Sequence, residues 1–254
     1  MRKSIFFLFF IWVGLSSCLY GQETIKTTSI YRDYHRAWEL YEKSQFTAAR
    51  IEFENFINQP IDRNDPLIIK AYYYRGMSAL ALYNDDAIHL LSSFNQAYPE
   101  NPFRNQINFE IGNYFFQKED FLGALPWYEE VQHDLLTPEE VEPFHFKKGY
   151  SYYQEGLESE ALESFKYVKN STGQYGTISL YYYAHLNYKL GNLSESKSDF
   201  HRLKHISEFT TIAPYYIVQI NHKQGLYDSV IAYAPSVLDT ADLGNYNDIL
   251  HLLG

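Results

Sequence analysis

One cysteine, Cys18, stands in 254 residues, so no disulfide can form within the chain. A folded body without disulfides is held by packing alone, whatever its compartment. Basic residues are the minority charge, 21 Lys and Arg against 31 Asp and Glu. They form no stripe, and contacts to nucleic-acid phosphates need clustered Lys and Arg, so nucleic acid is excluded as a partner. Past the N-terminus no apolar run approaches the ~20 residues of a membrane-spanning helix. The chain has no HExxH, no GxSxG and no glycine-rich phosphate loop. His201 and His205 stand four apart with Asp199 and Glu208 near in sequence. No third ligand is evident, and the spacing reads as a solvated helix face rather than a metal site. We therefore expect no enzyme, no cofactor and no metal.

The N-terminus is a separate object. MRKSIFFLFFIWVGLSSCLYGQ opens with Arg2 and Lys3, is apolar from Ile5 to Leu15 and ends in small residues. That is the layout of a secretory signal peptide over residues 1–22. Two readings of its end stay open. LSSC at 15–18 resembles the lipobox of bacterial lipoproteins, which would make Cys18 lipidated and membrane-anchored. Cleavage near Gly21 would instead leave Gln22 first. Both imply export, to the periplasm or the periplasmic face of an outer membrane.

Aromatic residues are abundant, 18% of the chain with 25 Tyr among them, and they recur in register. From Gly112, offsets of 12, 16 and 19 reach Ala124, Tyr128 and Val131. The same offsets from Gly149 reach Ala161, Phe165 and Val168. From Ala37 they reach Ala49, Phe53 and Phe56; from Ala184, Ser196, Phe200 and Leu203; from Val218, Val230, Ala234 and Val237. From Gly76, one residue shorter, they reach Ala87, Leu91 and Phe94. The anchors lie 39, 36, 37, 35 and 34 residues apart. Each copy holds two segments of helical apolar spacing around a short polar turn, which makes the unit a helix hairpin. Asp120 can cap the helix after such a turn, and Gly156, Gly191 and Gly225 can end the helix before it. A small anchor lets two helices approach, and a large ring from the facing helix fills the remaining space. Pro126 and Pro235 fall inside second helices, which each should kink or shorten.

This pattern resembles the tetratricopeptide repeat (TPR) family. The resemblance rests on a small residue in the first helix, then an aromatic, Ala, a second aromatic and an apolar residue: Gly112, Phe121, Ala124, Tyr128 and Val131 in one copy, Ala37, Phe46, Ala49, Phe53 and Phe56 in another. Glu158 departs from it, standing where the opening aromatic belongs. The resemblance implies an all-α, right-handed superhelical solenoid of antiparallel hairpins over 27–254. Six hairpins are expected at about 31–60, 67–99, 103–136, 140–171, 175–207 and 211–240, with a truncated seventh at 244–254 anchored on Gly254. We expect Leu250, Leu252 and Leu253 to be exposed there, either because more repeats follow residue 254 or because a partner covers the end. As a whole, and in its expected ending in mid-repeat, the chain resembles the N-terminal part of a large exported TPR protein of Bacteroidota.

An aromatic ladder accompanies the anchors. Three residues before them stand Tyr34, Tyr73, Phe109, Phe146, Tyr181 and Tyr215; one after stand Trp38, Met77, Asn113, Tyr150, His185 and Gln219; four after stand Tyr41, Leu80, Phe116, Tyr153, Tyr188 and His222. These positions share one helix face. Resemblance to the family places that face in the concave groove where ligands bind. Two readings compete: the rings are core stacked between helices, or they form a recognition surface. The expected function is a non-enzymatic scaffold that holds a protein or an extended peptide, with the middle of the ladder, around Asn113, Tyr150 and His185, as the place to look. Two alternatives are an outer-membrane assembly lipoprotein and a glycan-binding exported TPR protein.

Overall fold

The computed structural model describes residues 29–238 and 243–253. The signal peptide with Cys18 and the anchor Gly254 lie outside the described residues. Within them the secondary structure is helical, without a strand. The helices are α1 (29–42), α2 (Phe46–Ile57), α3 (Pro66–Ala81), α4 (Ala87–Ala97), α5 (Arg104–Gln117), α6 (Phe121–Glu129), α7 (Pro138–Gln154), α8 (Glu158–Val168), α9 (Gln174–Lys189), α10 (Leu193–Leu203), α11 (Ile212–Lys223), α12 (Tyr227–Leu238) and α13 (Leu243–Leu253). They fall into two compact units that divide within α5, after Ile107. In unit one α2 packs on α3 and α3 on α4. In unit two each helix from α6 onward packs on the next through α13, and α7 also meets α9.

The repeat offsets are the core. Every second-helix residue at the three offsets is buried, among them Phe53, Tyr128, Phe165 and Phe200 at 0% exposure. The anchors sit where two helices touch. A Cβ on Gly112 would stand 2.6 Å from the Tyr128 ring, and one on Gly149 would stand 3.1 Å from the Phe165 ring. Ala37, Ala124, Ala161 and Ala184 are fully buried at the same crossings. The Gly76 position, one residue shorter in its offset, meets Leu91 instead.

All six first helices end alike. Residues Ser44, Tyr83, Glu119, Gly156, Gly191 and Gly225 follow them with φ between 55° and 82°. In each, the next N–H reaches back to the carbonyl five residues earlier, as in Asp120 N to Phe115 O at 3.0 Å and Leu157 N to Tyr152 O at 2.9 Å. This is the Schellman closure, which favours glycine because left-handed backbone crowds a Cβ. Three copies meet it without glycine. After the turn, Asp120 Oδ1 accepts from Gly123 N at 2.9 Å and caps α6. Glu158, which replaces the opening aromatic, forms an ion pair with Lys189.

Pro126 lies in α6, at nine residues the shortest of the second helices, whereas α12 runs twelve residues through Pro235. Both prolines are exposed, and the residues four earlier, Leu122 and Ile231, are 65% and 63% exposed. The carbonyls left without an N–H donor therefore belong to residues on the solvent side, where water can satisfy them. In α13, Ile249 is buried, and Leu252 and Leu253 pack against the cluster of Val218, Val230 and Val237. Only Leu250 of the three expected leucines is strongly exposed, at 43%. The apolar stripe of α13 turns inward, which corrects the expectation of a bare stub.

Candidate functional site

The ladder is not uniformly exposed. Tyr34, Tyr73 and Phe109 are buried, so these rings are core and not an open surface. Tyr34 packs on Phe56 at 5.6 Å, Tyr73 lies flat on Phe103 at 4.1 Å, and Phe109 meets Phe144 at 6.2 Å. Later in the chain the same register is half-buried. Phe146 faces Tyr175 and Tyr181 faces Phe209, each pair 5.3 Å apart, and Tyr215 donates to Asp248 at 2.8 Å. In unit one Trp38 and Tyr41 remain half-buried. In unit two Phe116, Tyr150, Tyr153, His185 and Tyr188 do so. Among these unit-two rings Phe116 meets Tyr150 edge-on at 5.9 Å and Tyr153 meets His185 edge-on at 6.1 Å, while His185 and Tyr188 are linked through Tyr216 at 5.4 and 5.2 Å. Burial lowers the His185 pKa, with Lys189 adding to the effect. The imidazole is therefore neutral at pH 7 and joins the face as a polar ring.

One further register does not belong to the outward face. Two residues before the six anchors stand His35, Tyr74, Glu110, Lys147, Tyr182 and Tyr216, three of them Tyr. Tyr74 stacks on Phe53 of the preceding second helix at 5.6 Å and 17°. Tyr182 stacks on Phe165 at 5.3 Å and 14°, and Tyr216 on Phe200 at 4.6 Å and 7°. Successive hairpins are thus joined ring on ring. The signal was the recurrence of Tyr at a fixed offset.

Inside unit two Lys147, like Glu110, breaks that rule. Its Nζ donates to Asn113 Oδ1 at 2.8 Å, and the Tyr128 hydroxyl donates to the same oxygen at 3.1 Å. Asn113 Nδ2 donates to Glu110 at 3.3 Å. Asn113 is buried by these bonds, so it positions the lysine rather than lying open. The ammonium sits 6.0 Å over the Phe109 ring and 5.9 Å over the Phe116 ring. No carboxylate of the described residues forms an ion pair with it. Desolvation lowers its pKa, and the Glu110 charge acts the other way. A half-buried cation with a neutral partner and two aromatic walls is suited to an anion.

The other polar candidates are accounted for locally. Asp199 is bound by Lys169 at 2.9 Å and Arg202 at 3.1 Å, while His201 and His205 are exposed. Among the described residues no group of three or more His, Cys, Asp or Glu is placed to hold a metal.

No family model and no curated protein matches the chain in sequence. Solved structures do match in fold. A tetratricopeptide repeat protein from Parabacteroides merdae is similar with a TM-score of 0.53 at 15% identity, over 87% of this chain and 84% of that one. The C-terminal part of a TPR repeat-containing protein from Cytophaga hutchinsonii is similar with a TM-score of 0.53 at 16% identity, over 88% of this chain and 82% of that one. The chain has the TPR fold.

Proposed function

We propose that this protein is a non-enzymatic binding scaffold whose unit-two face takes an extended segment of a protein or peptide partner. The observation that carries the reading is the Lys147 ammonium, held by buried Asn113 and bordered by half-buried rings, with no ion-pairing carboxylate among the described residues. Tyr150, Tyr153 and Tyr188 offer rigid area with hydroxyls for a peptide backbone. A carboxylate of the partner meets Lys147. The leader sequence supports export to the periplasm or the periplasmic face of an outer membrane, with anchoring through Cys18 as one of its two readings. Palmitate labelling of the wild-type protein against a Cys18→Ala variant decides between them.

The test of the scaffold reading is selection of a random peptide library on the intact protein. Enriched sequences that are lost when Tyr150 and Tyr153 are both changed to Ser support it. A library without enrichment, or enrichment that survives the double change, overturns it. A saccharide array run beside the library separates the glycan-binding alternative, which requires oligosaccharide capture and no peptide enrichment.

A further inference from the structure

Lys148, the neighbour of Lys147, serves a different place in unit two. A cleft of about 740 Å³ is lined by residues of α7, α8 and the turn at His133–Leu135. Phe144 and Val131 are its apolar members, and nearly all the rest are polar. Their rings and alkyl stems add apolar surface, so the lining suits a ligand with both charged and apolar parts.

Part of the lining is committed internally. His133 Nε2 lies 2.8 Å from Asp134 Oδ1, and His133 Nδ1 lies 3.3 Å from His145 Nε2. Tyr167 lies parallel on buried His145, with ring centroids 4.2 Å apart and planes 7° apart. Tyr167 is 63% exposed, so its other face is open. The stack fixes the ring in place and reduces the ordering cost of binding on it.

Two charges are left over. Lys148 Nζ lies 3.4 Å from the Tyr128 carbonyl and over the Phe144 and Tyr152 rings at 5.6 and 6.0 Å. It forms no ion pair among the described residues. Glu129, the acid that acts on it electrostatically, accepts the Tyr152 hydroxyl at 2.9 Å. On α8, Glu160 shares a face with Glu163 and Tyr167 by helical spacing. Glu163 lies 3.9 Å from Lys166. The Glu160 carboxylate has neither an ion pair nor a hydrogen bond among the described residues. The cleft therefore presents an unpaired cation and an unpaired anion that do not neutralise each other.

We propose that this cleft binds a small zwitterion of the amino-acid class, with its carboxylate at Lys148, its ammonium at Glu160 and its apolar part on the Tyr167 ring. A ligand carrying both charges meets both groups at once, whereas a single ion meets only one of them.

The test is an NMR titration of the intact protein with a series of ω-amino acids from glycine to 6-aminohexanoate, and with phenylalanine. Acetate and methylammonium are the single-charge controls. At least one amino acid is expected to bind tenfold or more tightly than either control. Lys148→Met and Glu160→Gln are each expected to remove that advantage. If no member outbinds the controls, or if the advantage survives either substitution in a folded protein, the proposal is wrong. Glu160 is exposed, so Glu160→Gln decides the matter even where Lys148→Met fails to fold.

Discussion

The Lys147 ammonium donates to Asn113 Oδ1 across 2.8 Å, at a position where Tyr74, Tyr182 and Tyr216 instead lay a ring on the preceding hairpin. A tyrosine there would extend the ring-on-ring joint. A half-buried ammonium costs desolvation, and replacing such charges by apolar groups is often neutral or stabilising. Lys147→Met keeps the apolar stem and leaves the Tyr128 hydroxyl on Asn113. It is expected to raise stability by about 1 kcal/mol in a denaturant titration. A loss of similar size would show that the lysine is there for the fold.

His145 makes stability depend on pH. Burial lowers its pKa to about 4 from 6.5, with His133 and Lys148 adding repulsion. The unfolded chain takes up the proton first as pH falls. The contribution is therefore complete above about pH 6.5 and is lost towards pH 4. His145→Phe retains a ring against Tyr167 and removes the titration. The wild type is expected to lose about 1–3 kcal/mol more than this variant between pH 7 and pH 4. Parallel stability curves across that window would contradict the assignment.

The hairpin crossings and turns give opposite signs for exchanges between glycine and other residues. Gly112→Ala gains helix propensity of about 1 kcal/mol. It also drives a Cβ to 2.6 Å from a ring with no exposure, and overpacking costs about 1–3 kcal/mol. A net loss of about 1–2 kcal/mol is expected by thermal or chemical melt. Gly156→Ala, at φ 73°, is expected to lose about 1 kcal/mol. Glu119→Gly, at φ 58°, is expected to gain about 0.5 kcal/mol, because relief of left-handed strain slightly exceeds the entropy that glycine brings to the unfolded chain.

Much of this was legible in the residues. The offsets from Gly112 and Gly149 named the buried contacts because a repeat must place the same side chain at the same crossing each time. The Schellman turns were legible where glycine marks them, at Gly156, Gly191 and Gly225. They were silent at Ser44, Tyr83 and Glu119, whose residue types do not reveal a positive φ. In the ladder, helical spacing gave the shared face but not its exposure. Tyr73 is closed by Phe103, from the segment before α5, and local periodicity carries no record of such a contact. The His133–His145 pair is joined by a short turn between α6 and α7, and its geometry could not be read from a spacing of twelve.

The most direct measurement is the affinity of a library-selected acidic peptide for the wild-type protein and for Lys147→Met, by fluorescence anisotropy at fixed salt. The same peptide with its carboxylates replaced by amides completes the comparison. If the partner's carboxylate meets Lys147, removing either charge weakens binding tenfold or more, which is about 1.4 kcal/mol, and removing both costs little beyond one. Equal affinity in all four combinations would contradict the account.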